Sequence, residues 1–230
     1  LKIDNMTKLA KFVKRPNRFQ AYIELEGEEM MVHVPNTGRC REILLPNCTV
    51  VLREENNPNR KTKYDLIGAY KGEKFINIDS QIPNKVVYEA LYNKKVESLA
   101  KYNIIMKEKT FKNSRFDFRL ENDEGEVYFL EVKGVTLEDK GVARFPDAPT
   151  ERGAKHLKEL VEAKKSGYGA GVLFLMQMDN ISEFRPHDEM DKMFGEALRY
   201  AAINGVDVMA YECSVDEKSI TLTKSVKIVL

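Results

Sequence analysis

Asp117, Glu131 and Lys133 are the residues of this 230-residue chain whose types and spacing could do chemistry. In Phe116-Asp117-Phe118-Arg119-Leu120, apolar side chains alternate with Asp117 and Arg119, the pattern of a strand with one apolar and one polar face. Beyond the turn Asn122-Asp123-Glu124-Gly125, the residues Val127, Phe129, Glu131 and Lys133 share a face. A hairpin closed around a five-residue loop centred on Glu124 sets Asp117 directly opposite Glu131, with Cβ atoms roughly 5 Å apart. A slip of one residue turns Asp117 to the other face. Two carboxylates held that close repel, and a divalent cation between them is one remedy. Such a cation neutralises charge on a phosphodiester and activates a water, and Lys133 adds a point charge on the same face.

Spacing alone does not single out this site, because acid-x-Lys recurs at Glu138 to Lys140, Glu162 to Lys164 and Asp216 to Lys218. Only the Glu131 copy ends an apolar strand, follows an upstream Asp across a turn and runs into Gly134. The same three residues also read as the solvated face of an ordinary hairpin.

The elements that must position them follow from the rhythm of the chain. Between Arg18 and Asp79 come five short strands, Phe19 to Glu26, Met30 to Val34, Thr49 to Glu54, Tyr64 to Tyr70 and Phe75 to Asp79, which predict a small closed barrel of OB or SH3-like type. Near Gln81 the period changes, and Val86, Val87, Ala90 and Leu91 predict a helix over Lys85 to Tyr92. The division is therefore expected at 1–82 and 83–230. The second part reads as strands around Ile104 to Lys107, Phe116 to Leu120 and Val127 to Val132, a helix after Thr150, a strand from Ala170 to Gln177, a helix from about Glu189 to Ile203 and a strand from Asp207 to Glu212. That order is a mixed α/β domain.

Supporting groups come from these elements. Glu89, on the first helix, is a candidate further carboxylate. Arg152, Lys155 and His156 fall at i, i+3, i+4 behind the Thr150 cap and could meet phosphate, or simply face solvent. Arg144, in a proline-bounded loop, is a candidate backbone contact. His33, Asn36, Thr37 and Arg39 leave a barrel strand through a polar turn that could cradle an anion. The aromatics Phe19, Tyr22, Tyr64, Tyr70 and Phe75 are candidates for base stacking or for the core.

Composition narrows the partners. Three cysteines, odd in number and without paired spacing, and three widely separated histidines argue against a disulfide framework and against zinc, leaving carboxylates and a hard ion such as magnesium or manganese. Residues 1–85 hold 15 Lys+Arg against 11 Asp+Glu, and 86–230 hold 22 against 25, a mildly basic front and acidic back. No stretch approaches the ~20 apolar residues of a membrane span, and Leu1 to Asn5 carry no signal-peptide core, so a cytoplasmic address is expected.

Four longer strings are more specific. His33-Val34-Pro35-Asn36-Thr37-Gly38-Arg39, Ser114 to Phe118, Leu130-Glu131-Val132-Lys133-Gly134-Val135-Thr136-Leu137, and Phe145 to Gly153 leading to Lys155-His156-Leu157 resemble, in this order, the sugar fermentation stimulation protein A family. The resemblance implies an OB-like amino-terminal β-barrel, a PD-(D/E)xK nuclease-like domain of restriction-endonuclease-like mixed α/β type, and DNA binding tied to sugar-utilisation gene expression. On that mapping Asp117 and Glu131 are the acids and Lys133 the lysine, while Phe116 stands where the family pattern usually has proline. Two functions follow. One is a magnesium- or manganese-dependent phosphodiesterase acting on nucleic acid, with Asp117, Glu131 and the Val132 carbonyl on the metal. The other is a non-catalytic, weakly sequence-specific DNA-binding regulator. A homodimer is compatible with either.

Overall fold

The computed structural model describes residues 1–3 and 5–230. Its amino-terminal ring is built from β1 (Thr7–Asn17), β2 (Gln20–Leu25), β3 (Glu28–His33), β4 (Thr49–Glu54) and β5 (Tyr64–Lys71). β1 pairs antiparallel with β2 and β4, β2 with β3 and β4 with β5, and a parallel pairing at His33 and Asp65 closes the ring. The two-residue turn between β2 and β3 uses Glu26 and Gly27, both at positive φ (56° and 88°), the primed geometry that matches strand twist.

The expected five-stranded barrel is present, with one change of membership. β6 (Lys74–Asn77), expected as the fifth stave, hairpins onto β5 outside the ring, and the missing stave is β1. Ala10 and Phe12 of β1 point into the core, but lysines at 8, 11 and 14 surround them and Leu9 is exposed. Register shifts between Phe12 and Lys14, and again before Asn17, bend the strand and interrupt its period of two.

The second part is a six-stranded sheet. It holds β7 (Ile104–Phe111), β8 (Ser114–Glu121) and β9 (Val127–Val135) as an antiparallel meander. Two parallel strands, β12 (Gly169–Met176) and β14 (Asp207–Val215), and the antiparallel edge β15 (Ile220–Ser225) complete it. A small sheet of β10 (Leu137–Asp139), β11 (Val142–Phe145), β13 (Glu183–Pro186) and β16 (Lys227–Ile228) stands beside it. Helix α1 (Ile82–Tyr92) packs Val86, Val87, Ala90 and Leu91 with Phe118, Leu120, Leu130 and Leu173 on one face. Helices α2 (Glu151–Lys165) and α3 (Lys192–Ile203) cover the other, where Leu157, Leu160 and Leu198 meet Phe129, Val172 and Phe174. This is the mixed α/β arrangement that the order of elements implies.

Asp191 fastens the two outer helices together. One of its carboxylate oxygens accepts from Phe194 N–H (3.0 Å) and caps α3, while the other accepts from Thr150 N–H (2.8 Å), whose own hydroxyl caps α2 through Gly153 N–H (3.0 Å). The barrel is tied to the sheet where β6 meets the end of β12. Asn77 N–H donates to the Gln177 carbonyl (3.0 Å), and the Gln177 amide donates to Asn77 Oδ1 (2.9 Å) and the Asp79 carbonyl (3.1 Å). Lys71 of β5 and Lys74 of β6 both reach the buried Glu138 of β10. Among the described residues no helix is long and apolar enough to cross a membrane.

Candidate metal-carboxylate site

β8 and β9 pair as Glu121 with Val127, Leu120 with Tyr128, Arg119 with Phe129 and Phe118 with Leu130. One further step of that register sets Asp117 against Glu131, as the turn implies. The ladder stops there. Val132 N–H, directed at the β8 edge, is taken by the Asp117 side chain: Oδ2 accepts at 2.7 Å, while Oδ1 accepts from Asn84 Nδ2 of α1 at 2.7 Å. The Val132 carbonyl leaves the strand on the same edge as its N–H.

Opening the ladder also breaks the expected alternation. Phe118 and Leu120 face α1, but Phe116 crosses to the other side and packs on Phe129 (5.7 Å between centroids) and His156 (6.1 Å). The three apolar residues of β8 therefore do not share one face.

Glu131 is almost fully buried (4% exposed). Its Oε1 accepts from Lys133 Nζ (2.6 Å) and His156 Nδ1 (2.5 Å). Arg152 Nε donates to His156 Nε2 (3.3 Å), so this arrangement puts the ring proton on Nδ1. The other oxygen, Glu131 Oε2, is buried with no hydrogen-bond partner among the described residues. Burial opposes ionisation of Glu131, yet the His156 hydrogen bond and the Lys133 ammonium outweigh it and hold the carboxyl below its ordinary value. Asp117 goes the other way: burial, then the nearby Glu131 charge, push it up to about 6 against the pull of Val132 N–H, Asn84 and Lys133.

Asp117, Glu131, Val132 and Lys133 line a cleft of about 460 Å³ with Arg152 and His156 of α2 on one wall and Asn36 and Thr37 of the barrel turn on another. Two glycines let these walls approach. A Cβ on Gly134 would lie 2.5 Å from Gln177 Oε1 and 2.7 Å from Pro83 Cγ, and one on Gly38 would lie 2.5 Å from Asp147 Oδ2. Asn84, Asp147 and Gln177 belong to the cleft and are missing from the residues that the sequence singles out. An apolar strand ending in Gln and a helix starting in Pro-Asn are the signals that point to two of them.

Other candidates are placed elsewhere. Glu89 lines a separate crevice with Val86, Asn93 and Thr221, because α1 starts a turn earlier than expected and presents Asn84, not Glu89, to Asp117. His33 is bound to Asp65 (2.9 Å) inside a barrel ion network and does not reach the cleft. The Asn36 side chain is consumed in holding its own turn, donating to the Ile78 carbonyl (2.7 Å) and accepting from Gly38 N–H (2.6 Å). Arg39 lies on a neighbouring groove of the barrel. Arg144 sits on β11 beside Arg185, His187 and Arg199, away from the acid pair, and Lys155 faces solvent near Glu159 (3.7 Å). Of the candidate base-stacking aromatics, Tyr64 and Phe75 are core residues and Phe19 is half exposed.

The donor set suits a hard cation. It comprises two carboxylates and a carbonyl, all oxygen, one of them, Glu131 Oε2, without a partner among the described residues, and such ions commonly complete their shell with water and substrate oxygens. Among the described residues no group of three or more His, Cys, Asp and Glu gathers as a metal site.

A ring with this strand order, clasped to a mixed sheet whose central hairpin opens onto an acid pair, defines a protein made of an OB domain and a restriction-endonuclease-like domain. Residues 13–78 match the family model described as the SfsA N-terminal OB domain, and residues 81–219 match the sugar fermentation stimulation protein RE domain. The chain belongs to the sugar fermentation stimulation protein family. It is 67% identical to the homologue from Clostridium tetani, covering 97% of each chain, and 63% identical to one from Clostridium perfringens over 100% of both. The solved structure of Pyrococcus furiosus SfsA in complex with Ca2+ aligns over 100% of both chains with a TM-score of 0.89 at 25% identity.

Proposed function

We propose that this protein is a magnesium- or manganese-dependent phosphodiesterase acting on nucleic acid, with DNA as its expected substrate. The observation that carries the reading is the Glu131 carboxylate, which is pinned through one oxygen and, among the described residues, unpartnered at the other, at the point where the hairpin opens beside Asp117. Asp117, Glu131 Oε2 and the Val132 carbonyl would hold the ion. A bound divalent cation supplies charge neutralisation and an acidified water. His156 and Lys133 fix the Glu131 rotamer, and Asn84 and Val132 N–H fix that of Asp117. Lys133 and Arg152 place two cations in the cleft, where an anionic phosphodiester would bind and where charge grows during its hydrolysis. The Ca2+ bound by the Pyrococcus furiosus relative supports an oxygen-ligand cation site, since Ca2+ and Mg2+ share that ligand chemistry. Fold alone would not license an activity.

The test is to incubate the purified protein with duplex, branched and single-stranded DNA and with RNA in Mg2+, Mn2+ or EDTA, beside Asp117→Ala and Lys133→Ala. Cleavage that needs the metal and vanishes in both folded variants is expected. Salt-sensitive DNA binding with no cleavage under any condition would sink the catalytic reading and leave the protein a non-catalytic DNA binder.

A further inference from the structure

A second groove, of about 820 Å³, runs along the barrel between the β1–β2 turn and the segment that follows β3. Lys14, Arg15, Arg18, Arg39 and Arg41 line it, and among the described residues no acidic side chain does. Arg18, Arg39 and Arg41 are exposed. The same walls carry apolar groups that water would rather not meet: Phe19 is 50% exposed and Leu45 51%, with Pro16 and Pro46 beside them. The Arg18 guanidinium lies 5.2 Å from the centroid of the Phe19 ring, forming a joint surface of cation and arene.

One residue ties the two walls of the groove together. Arg15 donates to the carbonyls of Asn36 (2.7 Å), Arg18 (2.8 Å) and Arg39 (2.8 Å), clasping the β1–β2 turn to the segment after β3. Asn36 and Thr37 are wall residues of the cleft, and Thr37 lines both cavities. A chain lying against Asp117 and Glu131 can therefore continue past Thr37 into the barrel groove without leaving protein surface.

Exposed cations beside an exposed arene match one kind of polymer. A single strand offers phosphates to the arginines and base faces to Phe19 and Leu45 at the same time, whereas a duplex hides its base faces and leaves the apolar part of the groove unsatisfied. We infer that the barrel groove takes the single-stranded arm of a nucleic acid whose scissile phosphate lies in the carboxylate cleft, so the substrate class is a junction of duplex and single strand. This inference rests on the phosphodiesterase reading for its scissile phosphate, but the groove can be tested without it.

The experiment measures binding of a labelled blunt duplex and of the same duplex bearing a single-stranded extension, by fluorescence anisotropy with the full chain in EDTA. The extension should tighten binding about tenfold or more. Phe19→Ala should cost about tenfold on the tailed duplex and nothing on the blunt one, the size of one missing base stack. Arg18→Ala combined with Arg41→Ala should flatten the salt dependence by about 0.7 for each phosphate no longer neutralised. Asp117→Ala should keep the tail preference. Equal binding of blunt and tailed duplex, indifference to Phe19→Ala, or displacement of the tailed duplex by an acidic peptide at lower concentration than by single-stranded DNA would overturn the assignment. Because binding is read in EDTA, absence of cleavage in the separate Mg2+ or Mn2+ assay removes the metal-site reading and its scissile phosphate and leaves the groove standing. Loss of the tail preference with cleavage intact removes the groove alone.

Discussion

Two clusters of buried and half-buried acids lie in this molecule, and they solve the same electrostatic problem differently. In the barrel, Asp65, Asp79 and Glu55 surround Arg53, whose guanidinium reaches all three at 2.7 to 2.9 Å. Arg60 and His33 also bind Asp65, and Arg60 reaches Glu55 as well (3.2 Å). Burial works against the Asp65 charge, but the hydrogen bonds from Arg60 and His33 overcome it and hold Asp65 below its ordinary value. In the cleft, Asp117 and Glu131 share a single ammonium, which sits on Glu131. Asp117 is left raised to about 6 and Glu131 Oε2 is left without a partner among the described residues. A cluster that carries its own counter-cations is a structural joint. A cluster in which one acid, Asp117, has no cation of its own is, on the proposed reading, open to one from solution.

The sharpest way to break that contrast is to remove a cation from the barrel. Arg53→Met leaves three carboxylates without their shared partner and should cost about 3–5 kcal/mol of unfolding free energy in urea denaturation. Addition of Mg2+ or Ca2+ should not restore it. Rescue by metal would mean that the barrel cluster is also a cation site and that the two regions do not differ in kind.

The opposite change applies to the cleft. Asp117→Asn keeps an oxygen for Val132 N–H and turns its amide to Asn84, which can present its own oxygen by a flip. It removes a carboxylate whose burial opposes ionisation. At pH 8 the metal-free variant should be more stable than the parent, by up to about 3 kcal/mol at 1.36 kcal/mol per pKa unit, while losing its metal binding in calorimetry. A lower melting temperature in EDTA would contradict the idea that Asp117 is strained by its own charge.

The two clusters should also answer pH with opposite signs. The folded Asp117 titrates near 6, above its unfolded value of 3.8, so its contribution is fully present below about 3.8 and is lost as pH rises through about 6. Asp65 is lowered, so its contribution is present above 3.8 and is lost as pH falls through its folded value. Carboxyl carbon NMR of the metal-free protein should show a midpoint near 6 for Asp117 and one below 3.8 for Asp65. A divalent cation should pull the first midpoint down and leave the second unmoved.

How much of this is legible in the chain varies with the range of the interactions involved. The hairpin register follows from alternation and from the turn at Asn122 to Gly125, and these are local: Asn122 and Glu126 close the loop through backbone and side-chain hydrogen bonds between themselves. The crossing of Phe116 is not legible, because it depends on Asp117 replacing a backbone acceptor for Val132, an event between two strands and a helix. Sequence pattern favours Glu89 over Asn84 for a similar reason. A helix begun at Lys85 has no residue 84 to offer, and its real start at Ile82 is set by Asp79, whose side chain accepts from Gln81 N–H (2.9 Å). β1 is hidden by its lysines and bends. Gln177 looks like the end of an apolar strand, and its work of joining barrel to sheet is visible only once Asn77 is brought to it from 100 positions away.

The smallest effect expected falls on His156, and it separates a residue that shapes the site from one that merely fills it. His156 touches Glu131 Oε1 and is itself held by Arg152, with its ring packed edge-on against Phe116. If its role is to hold one Glu131 oxygen so that the other stays free, removing the donor should weaken cation affinity by about tenfold, at the lower end of the range for such supporting groups. His156→Gln restores an N–H donor with different packing, whereas His156→Leu restores bulk without a donor. Titration calorimetry with Mn2+ should therefore rank the parent first, Gln second and Leu last, even where thermal melts rank Leu above Gln. If affinity follows the melting temperature across the two variants, His156 is core packing, and the one cation the cleft shares between its acids is all that orients Glu131.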